Sequence, residues 1–205
     1  MKNLPVFAMR HRFVLPGCES TIHLARENSF RRLDEAYSAG REVFVATLGH
    51  TGELARIGVV ARIVTFGRIP APRGVEGTED RALLRGLYRA RIGSSFPAST
   101  RTADVEPLPD SAGELPHAVE NTHFEATLAA LRRRHRSSAA RAAEIDALED
   151  RITRLYRLAV EEQLRTSARQ ALLEADGLLR KRHILLAAFH DDEDALLLES
   201  RILAR

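Results

Sequence analysis

Arg56-Ile57-Gly58-Val59-Val60-Ala61-Arg62-Ile63 and Leu84-Arg85-Gly86-Leu87-Tyr88-Arg89-Ala90-Arg91-Ile92 are the two stretches on which the fold turns. The first lies in a short apolar, β-branched run, Ile57 to Ile69, that ends at Pro70. The second lies in Arg81 to Ile92, where Leu84, Leu87 and Ile92 stand among Arg85, Arg89 and Arg91; both read as strands. Further out, Leu4-Pro5-Val6-Phe7-Ala8-Met9-Arg10 is strand-like and leads to the turn Leu15-Pro16-Gly17. Glu42 to Leu48 is a third apolar run, stopped by Gly49, and Ala98 to Val105 reads as a last strand. One helix interrupts them. Asn28 or Ser29 would cap it, Phe30, Leu33 and Tyr37 fall at i, i+3 and i+7, and Gly40 would end it. Several short strands with one early helix suit a small barrel. Pro70 to Asp80 (PAPRGVEGTED) predicts an exposed, mobile hairpin tip.

The rest of the chain is of another kind. All eight prolines lie at or before Pro116, and after it only Gly177 breaks an otherwise glycine-free run. A turn-rich half therefore gives way to a helical one. Ile145, Leu148, Ile152, Leu155 and Ala159 are spaced 3, 4, 3, 4 and predict one helix face. Ser167-Ala168-Arg169-Gln170 fits a capping box for a new helix. Asp176-Gly177 marks a junction before a final helix over Leu178 to Arg205. The expected class is α+β: a small β-barrel over 1–110, a linker over 111–116 and an α-helical bundle over 117–205 with a long C-terminal helix.

The quoted pieces, taken in order with Leu4–Arg10 and Leu15-Pro16-Gly17, resemble the amino-terminal, substrate-recognising domain of Lon proteases, a PUA-like barrel. Arg169-Gln170-Ala171-Leu172-Leu173-Glu174-Ala175-Asp176 is similar to the Lon segment that follows the barrel, and Glu199-Ser200-Arg201-Ile202 to its end. Between about 98 and 165 the likeness is weak, and the Lon turn with Pro and Gly ahead of the 169–176 stretch is missing. The 70–80 loop is also longer than the Lon turn there. These departures favour a stand-alone, drifted relative over a fragment of a complete Lon.

Charge and composition narrow the functional classes. Residues 1–97 hold 15 Lys and Arg against 9 Asp and Glu, and residues 98–205 hold 16 against 19. That mild basic excess is unlike a dedicated nucleic-acid binder. No apolar run approaches the roughly 20 residues of a membrane helix, and the start, Met1-Lys2-Asn3-Leu4, lacks the apolar core expected of a signal peptide. A cytoplasmic protein without membrane contact is expected. Cys18 is the only cysteine, so no intrachain disulfide forms.

The engines of a full Lon are missing. Neither lysine, Lys2 nor Lys181, follows a glycine, so no phosphate-binding P-loop exists. A Ser–Lys pair would need one of those two, and Lys181, between Arg180 and Arg182, reads as a solvated helix charge. His11, Cys18 and His23 lack the close spacing of metal ligands, and His183 and His190 read as a buried or solvated pair. Asp191-Asp192-Glu193-Asp194 reads as an acidic helix face. No cofactor and no metal are expected.

What remains is binding. The resemblance implies capture of unfolded or degron-bearing polypeptides, in association with a Lon-type protease. Apolar residues beside an open strand edge would do this. Phe13, Leu15 and Pro16 in the first turn, and Phe66 and Ile69 at a strand end, are the expected contributors. The plainer reading of each is a core position. Arg10 matches the Lon arginine after the first strand, and a role in organising the loop through a charge-assisted hydrogen bond is expected. The competing reading is RNA binding through Arg132, Arg133, Arg134 and Arg136. No aromatic residue interleaves with that run, and a solvated face is the plainer account. Self-association through the helices, along the 145–159 stripe, is a further expectation.

Overall fold

The computed structural model describes residues 1–10, 12–24, 27–49, 52–70, 78–93, 102–111, 118–135 and 139–189. The chain forms two compact units, Met1–Pro109 and Asp110–Arg205.

The first unit is a six-stranded sheet with one helix. The elements are β1 (Lys2–Met9), β2 (Glu19–His23), α1 (Glu27–Ala39), β3 (Glu42–Thr47), β4 (Ile57–Pro70), β5 (Thr78–Ile92) and β6 (Thr102–Pro107). Their order is β2-β5-β4-β3-β1-β6, with β6 pairing β5 as well. Pairing thus runs from β1 through β3, β4, β5 and β6 and returns to β1. Among the described strand pairs, only β1 and β3 run parallel. β1 changes partner midway: Lys2–Pro5 face β6 and Val6–Met9 face β3. Pro5, which has no N–H to give a ladder, stands where the partner changes. β5 is shared likewise, its first half with β2 and its end with β6.

Inside the circuit, Leu4, Val6, Phe44, Val60, Ile92 and Val105 form the centre of the core. Gly58 lets β4 lie against Phe44, since a Cβ there would meet the Phe44 ring and the Val45 carbonyl. α1 begins one residue before Asn28, so the expected capping residues fall inside it. It stops as expected: Gly40 has φ 145°, Arg41 has φ 64°, and the Arg41 amide closes on the Ala36 carbonyl at 2.9 Å. The guanidinium of Arg32 pins α1 to β1, donating to the Val6 carbonyl at 3.1 Å above the Phe7 ring.

Two expected boundaries move. The last strand is Thr102–Pro107 rather than Ala98 to Val105, and 94–101 lie outside the described residues. The hairpin arms extend to Pro70 and from Thr78, so of the expected tip only 71–77 lie outside the description.

The second unit contains α2 (Ala118–His135), α3 (Ala139–Asp146), α4 (Arg151–Glu161), α5 (Thr166–Glu174) and α6 over 178–189. The 145–159 stripe is not one helix. Asp150 breaks it, its carboxylate accepting the Ile152 amide at 3.1 Å as the N-cap of α4. Arg165 rather than Ser167 precedes α5, without a side-chain cap. Gln170 donates instead to Glu174 at 2.7 Å along the helix. Gly177, at φ 74°, makes the turn into α6. Of the expected long final helix, 190–205 lie outside the described residues.

Within this unit Arg154 ties three helices together. It meets Glu125 on α2 twice at 2.8 Å and Asp146 on α3 at 2.8 Å. Burial alone would lower its pKa, but these carboxylates outweigh that and raise it. No described helix is long and apolar enough to cross a membrane.

Candidate functional site

Beyond the point where β3 ends its pairing, β4 and β5 continue as an arm, with β2 on the outer side of β5. Register and burial give this arm two faces. Ile22, Ala82, Leu84 and Ile63 are buried on one. Glu19, Thr21 and His23 on β2, Arg85 on β5, and Arg62 and Thr65 on β4 are exposed on the other, with Arg81 and Leu83 half-buried. A β-bulge between Ile63 and Thr65 leaves Val64 without a cross-strand partner. At 41% exposed, Val64 is an apolar side chain in water, where strand alternation alone would leave a polar one.

Across this outer face runs a row of charges in register. Glu19 stands opposite Arg85, Arg85 opposite Arg62, and Arg62 opposite Glu42. Arg85 reaches Glu19 at 2.7 Å, Arg62 reaches Glu42 at 3.7 Å, and Lys2 completes the row on Glu42 at 3.0 Å. The hydrogen bond to Glu42, with its charge, raises the Lys2 pKa above its ordinary value.

On the inner side of the arm, Phe66 is half-buried against α1. Its ring lies 5.3 Å from Phe30 and 5.2 Å from Tyr37, and Arg41 stacks on Tyr37 at 4.3 Å. Ile69 pairs with Glu79 in the ladder; its side chain is outside the description.

The first turn lies elsewhere. Phe13, Leu15 and Pro16 are all buried, Leu15 completely. Here the expectation of partly exposed apolar side chains meets a packed loop. The Gly17 amide donates to the Gly86 carbonyl at 3.0 Å, and the Gly86 amide to the Cys18 carbonyl at 2.9 Å. Arg10 is exposed just past β1. Arg12 makes a charge-assisted contact across this loop, donating to the Thr21 carbonyl at 2.7 Å.

Lys181 requires a correction. Rather than a solvated charge, it is fully buried in the second unit. Its ammonium donates to the Tyr156 hydroxyl at 2.8 Å and to the Leu172 and Ala175 carbonyls at 2.6 and 2.7 Å. Asp110 lies 3.1 Å away as counter-ion, at a distance that suits an ion pair but an angle outside hydrogen-bond geometry. The two carbonyls belong to the C-terminal end of α5, where helix acceptors lack partners of their own. Arg182, beside it, donates to Asn121 at 2.6 Å over the Phe124 ring. Sequence periodicity gave no sign of either role, because a basic triplet reads as surface.

Arg132, Arg133 and Arg134 fall in the last turns of α2 with side chains outside the description, and Arg136 lies outside the described residues altogether. Among the described residues no three His, Cys, Asp or Glu side chains gather as a metal site would require. His183 is exposed, whereas His11, His190 and the 191–194 acidic run are outside the description.

Residues 3–186 match the family of the ATP-dependent protease La (Lon) substrate-binding domain. The chain belongs to that family. It is 35% identical over 106 residues to a Lon protease of Salinispora arenicola, covering 52% of this chain and 13% of that protein. Against Lon protease 1 of Syntrophobacter fumaroxidans it is 29% identical over 102 residues, covering 46% and 12%. The chain therefore spans only a small part of the length of these relatives. Among solved structures, the N-terminal domain of Mycobacterium avium complex Lon protease superposes with a TM-score of 0.70 at 25% identity, over 93% of this chain and 99% of that one. A Lon N-terminal domain protein from Xanthomonas campestris gives 0.61 at 23% identity, over 91% and 98%, a likeness of fold.

Proposed function

We propose that this Lon substrate-binding domain captures unfolded or degron-bearing polypeptides without catalysis of its own. It would serve as an adaptor, or as the recognising part of a Lon-type protease in the cytoplasm. The family match over residues 3–186 carries the reading. The closed pairing circuit is read as a PUA-like small barrel over 1–110, joined by 111–116 to a helical bundle over 117–205.

The recognition surface we assign is the arm of β2, β5 and β4. Val64 and half-exposed Leu83 offer apolar contact on its outer face, and Phe66 offers it at the α1 side. Ile69, further along β4, extends the same arm. The outer edge of β2 has no strand partner among the described residues, so an extended polypeptide has main-chain groups to pair with. Phe13, Leu15 and Pro16, buried in the loop that bonds to Gly86 of β5, would support this surface from within, and Arg10, exposed just past β1, would organise the loop. RNA binding through 132–136 draws no support from the family match.

Fluorescence anisotropy against a labelled, reduced and alkylated protein and a labelled single-stranded RNA, at low and high salt, tests this. Polypeptide binding that persists at high salt supports the reading, because apolar capture is not screened whereas phosphate contacts are. Salt-sensitive binding of RNA alone, or no binding of either probe, overturns it.

A further inference from the structure

Two guanidinium groups stand directly opposite each other at the middle of the outer charge row. Arg62 and Arg85 are cross-strand partners with side chains 58% and 61% exposed. Like charges in direct opposition destabilise a sheet. Here each arginine is engaged on one flank only, Arg85 by Glu19 and Arg62 by Glu42, and Glu42 is shared with Lys2. The row therefore has a doubly cationic centre with a carboxylate on either side. Exposed Val64 and half-exposed Leu83 lie two residues along the same strands, on the same face.

We propose that Arg62 and Arg85 together read a single carboxylate on a bound polypeptide, an Asp or Glu side chain next to an apolar residue that rests on Val64 and Leu83. This rests on the polypeptide-recognition reading and names the kind of segment it selects. Charge complementarity favours that occupant. A carboxylate between two forks receives N–H donors from both and relieves their mutual repulsion. A polyanion is disfavoured. Glu19 and Glu42 fence the row at both ends, so a chain of phosphates running along it would meet a carboxylate after one step. None of the five side chains of the row is aromatic, so the row itself offers bases nothing to stack on.

The test uses the whole chain and two labelled decapeptides, one with a central Val-Asp-Leu in Gly/Ser flanks and one with Asn in place of Asp. At low salt the Asp peptide binds about three- to tenfold more tightly, as expected for exposed charge-assisted contacts. The preference disappears in an Arg62→Gln/Arg85→Gln variant and at about 0.5 M salt, where screening acts within a few ångströms. Glu19→Gln, which frees Arg85 from its own partner, strengthens the Asp peptide further, a gain that a purely structural role would not produce. Thermal melts of each variant check that it remains folded. If the two peptides bind wild type equally, the carboxylate-reading role is overturned while polypeptide recognition stands. If neither peptide binds, and the alkylated protein of the previous test does not bind either, the underlying reading fails first. If single-stranded RNA outcompetes the Asp peptide and depends on the same arginines, the surface belongs to nucleic acid and the inference is overturned.

Discussion

Gly86 and Leu15 are in backbone contact, so close that a Cβ on Gly86 would fall on the Leu15 carbonyl. The two residues belong to separate pieces of the family resemblance, Leu15-Pro16-Gly17 and Leu84 to Ile92, 71 positions apart in the chain. Hydrogen bonds on both sides of Gly86, to Gly17 and Cys18, fix the turn against β5. The two pieces form one interlocked joint, and the arm that carries the proposed recognition face starts from it.

Gly86→Ala should therefore be costly. The obstructing atoms are backbone and cannot swing aside, so strain of about 1–3 kcal/mol is expected, as for an overpacked core. Gly67→Ala, on the same arm with nothing within reach of a new Cβ, should be close to neutral and is the control. Chemical denaturation followed by near-ultraviolet and far-ultraviolet dichroism would compare them. Equal midpoints would show that the Leu15 loop yields.

Lys181→Met tests the second unit. It removes a buried ammonium that meets four oxygens, those of Tyr156, Leu172, Ala175 and Asp110, and puts an apolar side chain among them. Breaking one side of a buried pair costs about 3–5 kcal/mol when both partners are enclosed. Asp110 keeps 19% of its side chain exposed, which places the cost toward the lower end. Adding Asp110→Asn should recover part of the loss, and a double-mutant cycle measures the coupling. Strict additivity would mean that the ion pair contributes nothing and that the carbonyl bonds hold Lys181 in place.

Much of the first unit was legible because period-2 alternation and turn residues act locally. β3 and β4 follow from β-branched runs ended by Gly49 and Pro70, β5 from the partial alternation of Leu84, Leu87 and Ile92 with arginines, and Gly40 ends α1 as its conformational freedom allows. The second unit was less legible. A 3, 4, 3, 4 stripe is blind to Asp150, whose carboxylate caps a new helix in the middle of it. Lys181 was misread because burial of a charge depends on oxygens brought from residues 110, 156, 172 and 175, which no local pattern links. The site suffered from the same gap. Val64 is exposed by a bulge, and the Arg62–Arg85 opposition is a matter of register between strands.

Lys2 offers a test by pH. Its pKa is raised in the folded chain, chiefly by the hydrogen bond to Glu42 and then by that residue's charge. A group with a raised folded pKa contributes stability that is fully present below its unfolded value of 10.5 and fades as pH rises through the folded one. The contribution is therefore present at neutral pH and lost only in strong alkali. Glu42→Gln should bring the Lys2 titration, followed by NMR at its ε-methylene, back toward the ordinary value. An unchanged titration would place the perturbing charge elsewhere.

Val64→Asp separates recognition from stability. Val64 is exposed and unpaired across the strands, so the substitution should change folding stability by no more than about 0.5 kcal/mol. On the outer face it does two things at once. It removes an apolar contact, and it places a fixed carboxylate two residues from Arg62, where it competes with any carboxylate on a bound chain. Binding of unfolded polypeptide should fall several-fold, with the larger loss for acidic peptides at low salt. Val64→Thr, which keeps the shape and adds no charge, should lose only the apolar part. The difference between the two variants, read by anisotropy at low and high salt, isolates the electrostatic share of capture. If both variants bind like wild type, the outer face of the arm is not where the polypeptide lies, and the aromatic cluster of Phe30, Tyr37 and Phe66 becomes the next surface to mutate.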